Sequence, residues 1–204
     1  MHTLEKNSIE QFNSWAKYYD KLLHLPFYLS NKSVVQHLNP KVNSYILDVG
    51  CGTGILLQHL LRLDRNLYLY GIDISPEMVK ISKKKFDKQP VEIIEGSASK
   101  LPYKDCSFDY VCCATSFHHY PTPEKSLEEI FRVLKPGGKL VLLDPFNTGT
   151  SRKIICKILT FIFKEGDVNI FSKVQMNKMF LKAGFQKVQQ KTFWYYRLMT
   201  SGQK

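Results

Sequence analysis

A glycine-rich turn between a predicted strand and a predicted helix constrains the fold of this 204-residue chain most strongly. The segment 44–49 (SYILDV) has the short apolar run of a buried strand, and residues 55–63 carry apolar side chains at helical spacing. Between them lie Gly50, Gly52 and Gly54. Glycine lets the backbone turn sharply and approach a ligand closely, because it has no Cβ. The sequence therefore predicts a nucleotide-binding loop at the end of a first strand.

The rest of the chain continues to alternate strands with helices. Short apolar runs predict strands, and apolar residues at spacings of three and four predict helices. Further strands are expected at 67–72, 91–95, 108–114, 139–144, 187–190 and 193–200, and further helices at 78–86, 123–134 and after 172. This order predicts an α/β, Rossmann-like, doubly wound and mostly parallel seven-stranded sheet with helices on both faces.

Local signals mark the ends of several elements. Ser75 is placed to cap a helix, and Ser172 with Gln175 has the spacing of a capping box. Gly184 fits the residue that follows the C-terminus of the second of these helices. The Pro-Gly-Gly run at 136–138 is expected to break the chain before the fifth strand.

Length and composition indicate one globular domain. The 44% hydrophobic and 23% charged fractions are ordinary for such a domain. We expect a single domain over 1–204, with an N-terminal helical cap at 1–40, a cofactor-binding core at 44–145, and lid helices with terminal strands at 146–204.

The cysteines and the absence of long apolar runs bear on location. Five cysteines occur without CxxC spacing, which favours reduced thiols over a disulfide framework or a zinc site. The first ten residues hold no apolar run of the kind that a secretory signal needs, and no stretch is long enough to span a membrane. We therefore expect a cytoplasmic protein with no metal site.

The positive charge is concentrated at one end. Residues 151–204 carry 11 basic and 2 acidic side chains, so they supply +9 of the net +11. Such an excess can favour an acidic substrate, an anionic membrane or nucleic acid, but it can equally be a solvated face. Within it, 151–163 (SRKIICKILTFIF) is basic and amphipathic. This stretch can act as a lid helix over a pocket, or make peripheral contact with a membrane.

Two carboxylates help to identify the ligand of the loop. Asp73 ends the second predicted strand, about 20 residues beyond the loop, where an acid can accept hydrogen bonds from ribose hydroxyls. Asp48 lies two residues before Gly50. A carboxylate there is unfavourable beside a pyrophosphate but suits an ammonium group. The charge therefore favours S-adenosylmethionine over a nicotinamide dinucleotide.

These residues and several later motifs resemble the class I S-adenosylmethionine-dependent methyltransferases. The loop LDVGCGTG and the segment GIDIS are followed, in order, by FDYV, SFHH and RVLKPGG. The similarity extends to the branch that contains the ubiquinone and menaquinone biosynthesis methyltransferases, through FNSWAKYYD at 12–20. In that branch an N-terminal helix closes over the cofactor.

The resemblance implies roles for individual residues. Asp48, Gly50, Cys51 and Gly52 would contact the methionine portion, and Asp73 would hold the ribose. The adenine would be contacted by four residues, Ile74, Met78, Ser97 and Ala98. Thr115 would lie near the sulfonium, and Tyr19 would contact the cofactor. Ser97 departs from the family, which often has an aspartate at that position, and a neutral acceptor is weaker than a charged one.

The candidate catalytic residues are His118 and His119, on the loop after the fourth strand. Alignment of the nucleophile supplies much of the rate of methyl transfer, and a general base is needed only when the acceptor carries a proton of high pKa. The alternative interpretation is that one histidine packs structurally and the other lines the substrate cavity. Cys112 and Cys113, within an apolar strand, are interpreted as small buried hydrophobes.

The function predicted from the sequence is therefore methyl transfer from S-adenosylmethionine to a small-molecule acceptor by direct displacement. Three other functions remain open: an NAD-dependent oxidoreductase with the same sheet, a nucleic-acid methyltransferase, and a binding protein that has kept the fold. We do not expect a nucleic-acid partner, because no separate binding module accompanies the basic segment. The acceptor and the oligomeric state are not determined by the sequence.

Overall fold

A single seven-stranded sheet organises the computed structural model, which describes residues 3–22, 24–63, 66–146, 169–193 and 197–204. The strand order is β3-β2-β1-β4-β5-β7-β6. All neighbouring pairs are parallel except those that involve β7, which runs antiparallel to both β5 and β6. The strands are β1 (Tyr45–Val49), β2 (Tyr68–Asp73), β3 (Val91–Glu95), β4 (Phe108–Ala114), β5 (Leu134–Pro145), β6 (Gln186–Phe193) and β7 (Arg197–Gln203).

Helices cover both faces of this sheet. Ile46 and Leu47 are neighbours in β1, so their side chains point to opposite faces, and each belongs to a different apolar cluster. Helices α2 to α4 contribute to the cluster of Ile46, and helices α5 and α6 to that of Leu47. The helices are α1 (Thr3–Leu22), α2 (His24–Leu38), α3 (Ile55–Leu63), α4 (Pro76–Lys85), α5 (Pro123–Val133) and α6 (Lys173–Lys182), with a 3-10 turn at Phe117–His119.

The predicted fold class and most element positions are confirmed. The side chain of Ser75 accepts a hydrogen bond from the backbone N–H of Met78, so it caps α4 as expected. Ser172 and Gln175 form the capping box of α6, and Gly184 follows that helix with a φ of 101°. None of the helices in the described parts of the chain is both long and apolar enough to cross a membrane.

The predicted break at 136–138 is wrong, because β5 begins at Leu134 rather than at Lys139. Leu134 pairs with Phe108 and Lys139 with Tyr110, so the Pro-Gly-Gly run bulges out of the sheet between two paired positions. The C-terminal Lys204 supplies hydrogen bonds to the bulge: its carbonyl accepts from the Gly137 N–H at 2.9 Å. A long-range partner therefore keeps this segment within the strand.

The boundary between the last two strands is also wrong. The sequence predicts that Phe193 begins the final strand, but Phe193 ends β6, and β7 begins at Arg197. The predicted amphipathic helix at 151–163 lies outside the described residues.

The packing of α5 against the sheet predicts how substitutions in this helix change the free energy of unfolding. Leu127 is completely buried between α5 and the sheet, so Leu127→Ala should lower the free energy of unfolding by about 2–5 kcal/mol through lost contacts and a cavity. Leu181 in α6 is 54% exposed, and Leu181→Ala is the matched control, with an expected change within about 0.5 kcal/mol. Urea denaturation measures both changes. Equal losses in the two variants would contradict the packing described here.

Candidate active site

A cavity of about 980 Å³, counted with its open mouth, lies at the carboxyl ends of β1, β2 and β4. This is the end of a doubly wound sheet where ligands bind. Its floor is formed by the glycine loop, and α1 and α2 contribute Phe12 and Asn31 to its wall. Further parts of the wall come from 72–74, 96–99, 114–116 and 119–121.

The glycine loop requires its glycines for two separate reasons. Gly50, Gly52 and Gly54 all have positive φ, at 72°, 52° and 82°. A Cβ on Gly50 would also come within 2.4 Å of Ser116 Oγ. The loop is held against β2, because the backbone N–H groups of Gly50 and Cys51 both donate to the carbonyl of Ile72, at 2.8 and 3.1 Å. These contacts hold the backbone of Gly50, Cys51 and Gly52 at the floor of the cavity.

Hydroxyl groups from the segment after β4 fix the start of this loop. The carbonyl of Val49 accepts hydrogen bonds from Ser116 Oγ and from the Tyr120 hydroxyl, each at 3.1 Å. Cys113 Sγ lies 3.1 Å from Ser116 Oγ. Burial raises the pKa of the Cys113 thiol to about 12, so this cysteine is a neutral buried group rather than an activated nucleophile.

Asp48 is the most unusual charged residue of the site. Its side chain is 2% exposed and lines the cavity, and the described residues offer no hydrogen-bond donor to its Oδ1. Burial, with a smaller contribution from nearby Asp73, raises the pKa of the Asp48 carboxyl to about 8. A buried carboxyl without a partner is unfavourable unless a ligand supplies the donor or the charge. The site therefore fits a ligand that brings an ammonium group to this oxygen.

Asp73 has a different environment beside the same loop. Its Oδ2 accepts a hydrogen bond from the Gly52 N–H at 2.8 Å, and its Oδ1 accepts one from the Ser75 N–H at 2.9 Å. Burial raises the pKa of this carboxyl, while these amide donors act in the opposite direction. Each oxygen can accept more than one hydrogen bond, so Asp73 can still bind hydroxyl groups of a ligand.

The loop after β3 contributes the neutral part of the wall. Ser97 Oγ lies 2.9 Å from Ser99 Oγ and also accepts from the Ser99 N–H at 3.3 Å. Ala98 lies beside it. Ile74, which precedes α4, and Met78, which lies in its first turn, also line the cavity. This part of the site is suited to a flat, weakly polar group such as a purine.

The two histidines have different surroundings. His119 lines the cavity and packs edge-on against the ring of Phe12, with ring centroids 4.9 Å apart. Burial, followed by the neighbouring His118, lowers the pKa of His119 well below its usual value, which keeps it neutral. The His118 side chain is only 2% exposed, and its Nδ1 lies 2.9 Å from Asp144 Oδ1. His118 stands behind the wall and does not line the cavity.

The structure brings most of the predicted site residues to one cavity: Asp48, Gly50, Cys51, Gly52, Asp73, Ile74, Met78, Ser97, Ala98, Thr115 and His119. His118 is not among the lining residues, and the side chain of Tyr19, in α1, lies outside the described part of the chain. Phe12 and Asn31 also line the cavity, although the sequence pattern does not predict this. Both lie in the N-terminal helices, where nothing in the sequence pattern states which helical face meets the loop.

Two further residues of α1 attach this helix to the site. Asn13 Oδ1 accepts a hydrogen bond from Ser75 Oγ at 2.7 Å, and Asp20 accepts from the Thr53 hydroxyl at 2.5 Å. Asp20 also pairs with Lys85 of α4 at 2.9 Å. Both residues belong to the FNSWAKYYD segment, so the motif that resembled a family also marks the helix that contacts the glycine loop.

Comparison with known proteins agrees with this geometry. Residues 47–142 match the family described as "Methyltransferase domain". A demethylmenaquinone methyltransferase of Oceanobacillus iheyensis is 32% identical over 185 residues, which cover 79% of this chain and 78% of that protein. A demethylmenaquinone methyltransferase of Staphylococcus saprophyticus is 28% identical over 207 residues, covering 89% of each.

Solved structures share the fold. A methyltransferase of Thermotoga maritima, described as a possible histamine N-methyltransferase, has a TM-score of 0.79 at 24% identity, covering 96% of this chain and 99% of that one. A Haloferax volcanii methyltransferase, solved with the Trm112 activator, has a TM-score of 0.82 at 23% identity, covering 94% and 96%. At these identities the likeness establishes the architecture alone.

The close approach at Gly50 gives a test of the loop. Gly50→Ala should lower the free energy of unfolding more than Gly137→Ala, by about 1–3 kcal/mol, because only the first Cβ meets neighbouring atoms. The two glycines have similar φ values of 72° and 78°, so the cost of positive φ cancels in the comparison. Urea denaturation of both variants measures the difference. No difference between them would mean that Ser116 does not pack against the loop.

Proposed function

Because this chain belongs to the class I S-adenosylmethionine-dependent methyltransferases, we propose that its cavity brings a small quinol to the methyl group of the bound cofactor. When bound, S-adenosylmethionine supplies a methyl group attached to a sulfonium, and a nucleophile that attacks this methyl group displaces the sulfur. The main support for a cofactor site is the buried Asp48 carboxyl. It lines the cavity, and no group among the described residues donates a hydrogen bond to its Oδ1.

The residues around the cavity fit the parts of the cofactor. Asp48 would pair with the ammonium group of the methionine portion, beside the backbone of Gly50, Cys51 and Gly52. Asp73 would accept hydrogen bonds from the two ribose hydroxyls, since its oxygens accept from the Gly52 and Ser75 amides and a carboxylate oxygen can accept more than one hydrogen bond. The adenine would lie between Ile74 and Met78 on one side and Ser97 and Ala98 on the other.

The proposed acceptor comes from the relatives. Proteins 28% and 32% identical over most of this chain are named demethylmenaquinone methyltransferases. A quinone ring carbon is a poor nucleophile, whereas the ring of the reduced quinol can donate an electron pair. The new bond would join that ring carbon to the methyl group, the carbon–sulfur bond would break with its electrons going to sulfur, and the ring proton would be released.

His119 is the residue best placed to receive a proton from such an acceptor. It lines the cavity, and its lowered pKa keeps the imidazole free to accept a proton. His118 would act as a positioning residue, because Asp144 holds its ring while the His118 and His119 ring centroids lie 4.0 Å apart. Tyr19 remains a proposed cofactor contact on the basis of the family motif.

Two further proposals concern the surroundings of the enzyme. The cysteines of the described residues carry free thiols, which supports a reducing, cytoplasmic location. The basic stretch 151–163 would suit contact with an anionic membrane surface, from which a lipid-like quinol could enter. No nucleic-acid partner is proposed.

Binding of S-adenosylhomocysteine gives a test of the Asp48 assignment. At pH 7 a carboxyl with a pKa of about 8 is mostly protonated, and an adjacent ammonium group favours its ionised form. Binding should therefore release more protons from the wild type than from Asp48→Asn. Isothermal titration in buffers of different ionisation enthalpy measures the number of protons released. Equal proton release by both proteins would place the ammonium group elsewhere, and no binding by the wild type would exclude the cofactor site.

The acceptor is tested by incubating the enzyme with labelled S-adenosylmethionine and demethylmenaquinol kept reduced. Mass spectrometry should detect the methylated quinone, and His119→Gln should lower kcat by about 10²–10⁴-fold. The affinity for S-adenosylhomocysteine should stay near that of the wild type, which separates loss of chemistry from loss of folding. If the wild type binds S-adenosylhomocysteine yet transfers no label to the quinol, the acceptor is wrong while the enzyme class stands.

A further inference from the structure

Thr115 has a strained backbone at the wall of the cavity. It follows β4 with a φ of 59°, a left-handed conformation that is a genuine outlier for a β-branched residue. Its N–H donates to the carbonyl of Leu143 at 2.7 Å, so the strained conformation is fixed by the neighbouring strand. Strained residues of this kind cluster at ligand clamps and active sites. The position therefore calls for a reason beyond packing.

A buried cation lies directly behind Thr115. Arg197, the first residue of β7, is 4% exposed, and its Nη1 donates to Thr115 Oγ1 at 2.8 Å and to Ser30 Oγ at 2.9 Å. Ser30 is itself fully buried in α2, and its neighbour Asn31 lines the cavity. The guanidinium is thus one side chain away from the cavity, at the same end of the sheet as the glycine loop.

The direction of this hydrogen bond decides what Thr115 can do. A guanidinium can only donate, so Thr115 Oγ1 must be the acceptor, and its own proton has to point elsewhere. Among the described residues, Thr115 Oγ1 makes one hydrogen bond, the one that it accepts from Arg197. Because Thr115 lines the cavity, its hydroxyl is available to donate to a ligand there. The adjacent positive charge polarises the hydroxyl and makes it a stronger donor.

The position of this donor connects it with methyl transfer. The next residue, Ser116, lies against Gly50, whose backbone forms the floor on which the cofactor would rest. Thr115 and His119 flank Ser116 on the same segment, and both line the cavity. A donor and a proton acceptor therefore face the same space, beside the end of the cavity where an acceptor would meet the methyl group.

We propose that the Thr115 hydroxyl, polarised by Arg197, binds an anionic oxygen of the methyl acceptor and so selects acceptors that react as phenolates or enolates. This inference rests on the proposed function only in taking the cavity as the site of methyl transfer. A protonated amine would be repelled by the guanidinium behind Thr115. Arg197 is a positioning residue, since it acts on the ligand through Thr115.

The test uses 4-nitrophenol and the complex of the enzyme with S-adenosylhomocysteine. The absorbance of the phenolate, followed against pH, gives the affinities for the ionised and neutral forms of the probe. The wild type should bind the phenolate more tightly than the phenol, and Thr115→Val should reduce that preference by roughly tenfold to a hundredfold. Thr115→Ser keeps the hydroxyl and should keep most of the preference. Valine has the same branching as threonine, so the backbone strain is unchanged.

Arg197→Lys and Arg197→Met test the second half of the pair. Lysine keeps the charge and should keep part of the phenolate preference, whereas methionine should lose as much as Thr115→Val. If Arg197→Met does not fold, the two Thr115 variants still decide the proposal. A wild-type complex that binds neither form, or binds both equally, would overturn it, as would a Thr115→Val enzyme that keeps the full preference. None of these results depends on whether demethylmenaquinol is the natural acceptor.

Discussion

Two carboxyl groups, Asp48 and Asp73, lie beside one glycine loop, and the rest of the site depends on how the burial of each of them is compensated. Asp73 is neutralised in part by amide donors from the loop and from the start of α4. Asp48 has no such donor to its Oδ1, so its charge is suppressed until a cation arrives. Gly50 and Gly54 are needed in the loop because a Cβ would come within 2.4 Å of Ser116 at the first position and within 2.5 Å of Phe86 at the second.

Parts of the chain that are distant in sequence complete the cavity around this pair. The N-terminal helix α1 contacts the glycine loop and α4 through Asn13 and Asp20. From the other end of the chain, β7 places Arg197 behind Thr115. The regular βαβ core supplies the glycine loop and the segment after β4, while the N-terminal helices add Phe12 and Asn31 to the wall. The cavity is therefore assembled from parts of the chain that are far apart in sequence.

The sequence predicted the core well and the additions poorly, for physical reasons. Strands β1 to β4 and helix α4 follow local periodicity and capping, which act over a few residues, and Asp48 and Asp73 follow from their distance to the loop. The start of β5 depends instead on hydrogen bonds from Lys204, and the donor at Thr115 depends on Arg197, 82 residues further along the chain. No local pattern encodes either contact. Which histidine faces the cavity was likewise decided by Asp144, which holds the other one.

We propose that the Asp48 carboxylate binds the ammonium group of the cofactor. The most direct test compares the affinity of S-adenosylhomocysteine with that of its deamino analogue, for the wild type and for Asp48→Asn, by isothermal titration. Removal of the amino group should weaken binding to the wild type much more than binding to the variant, because only the wild type loses an ion pair. An equal loss of affinity in the two proteins would contradict it.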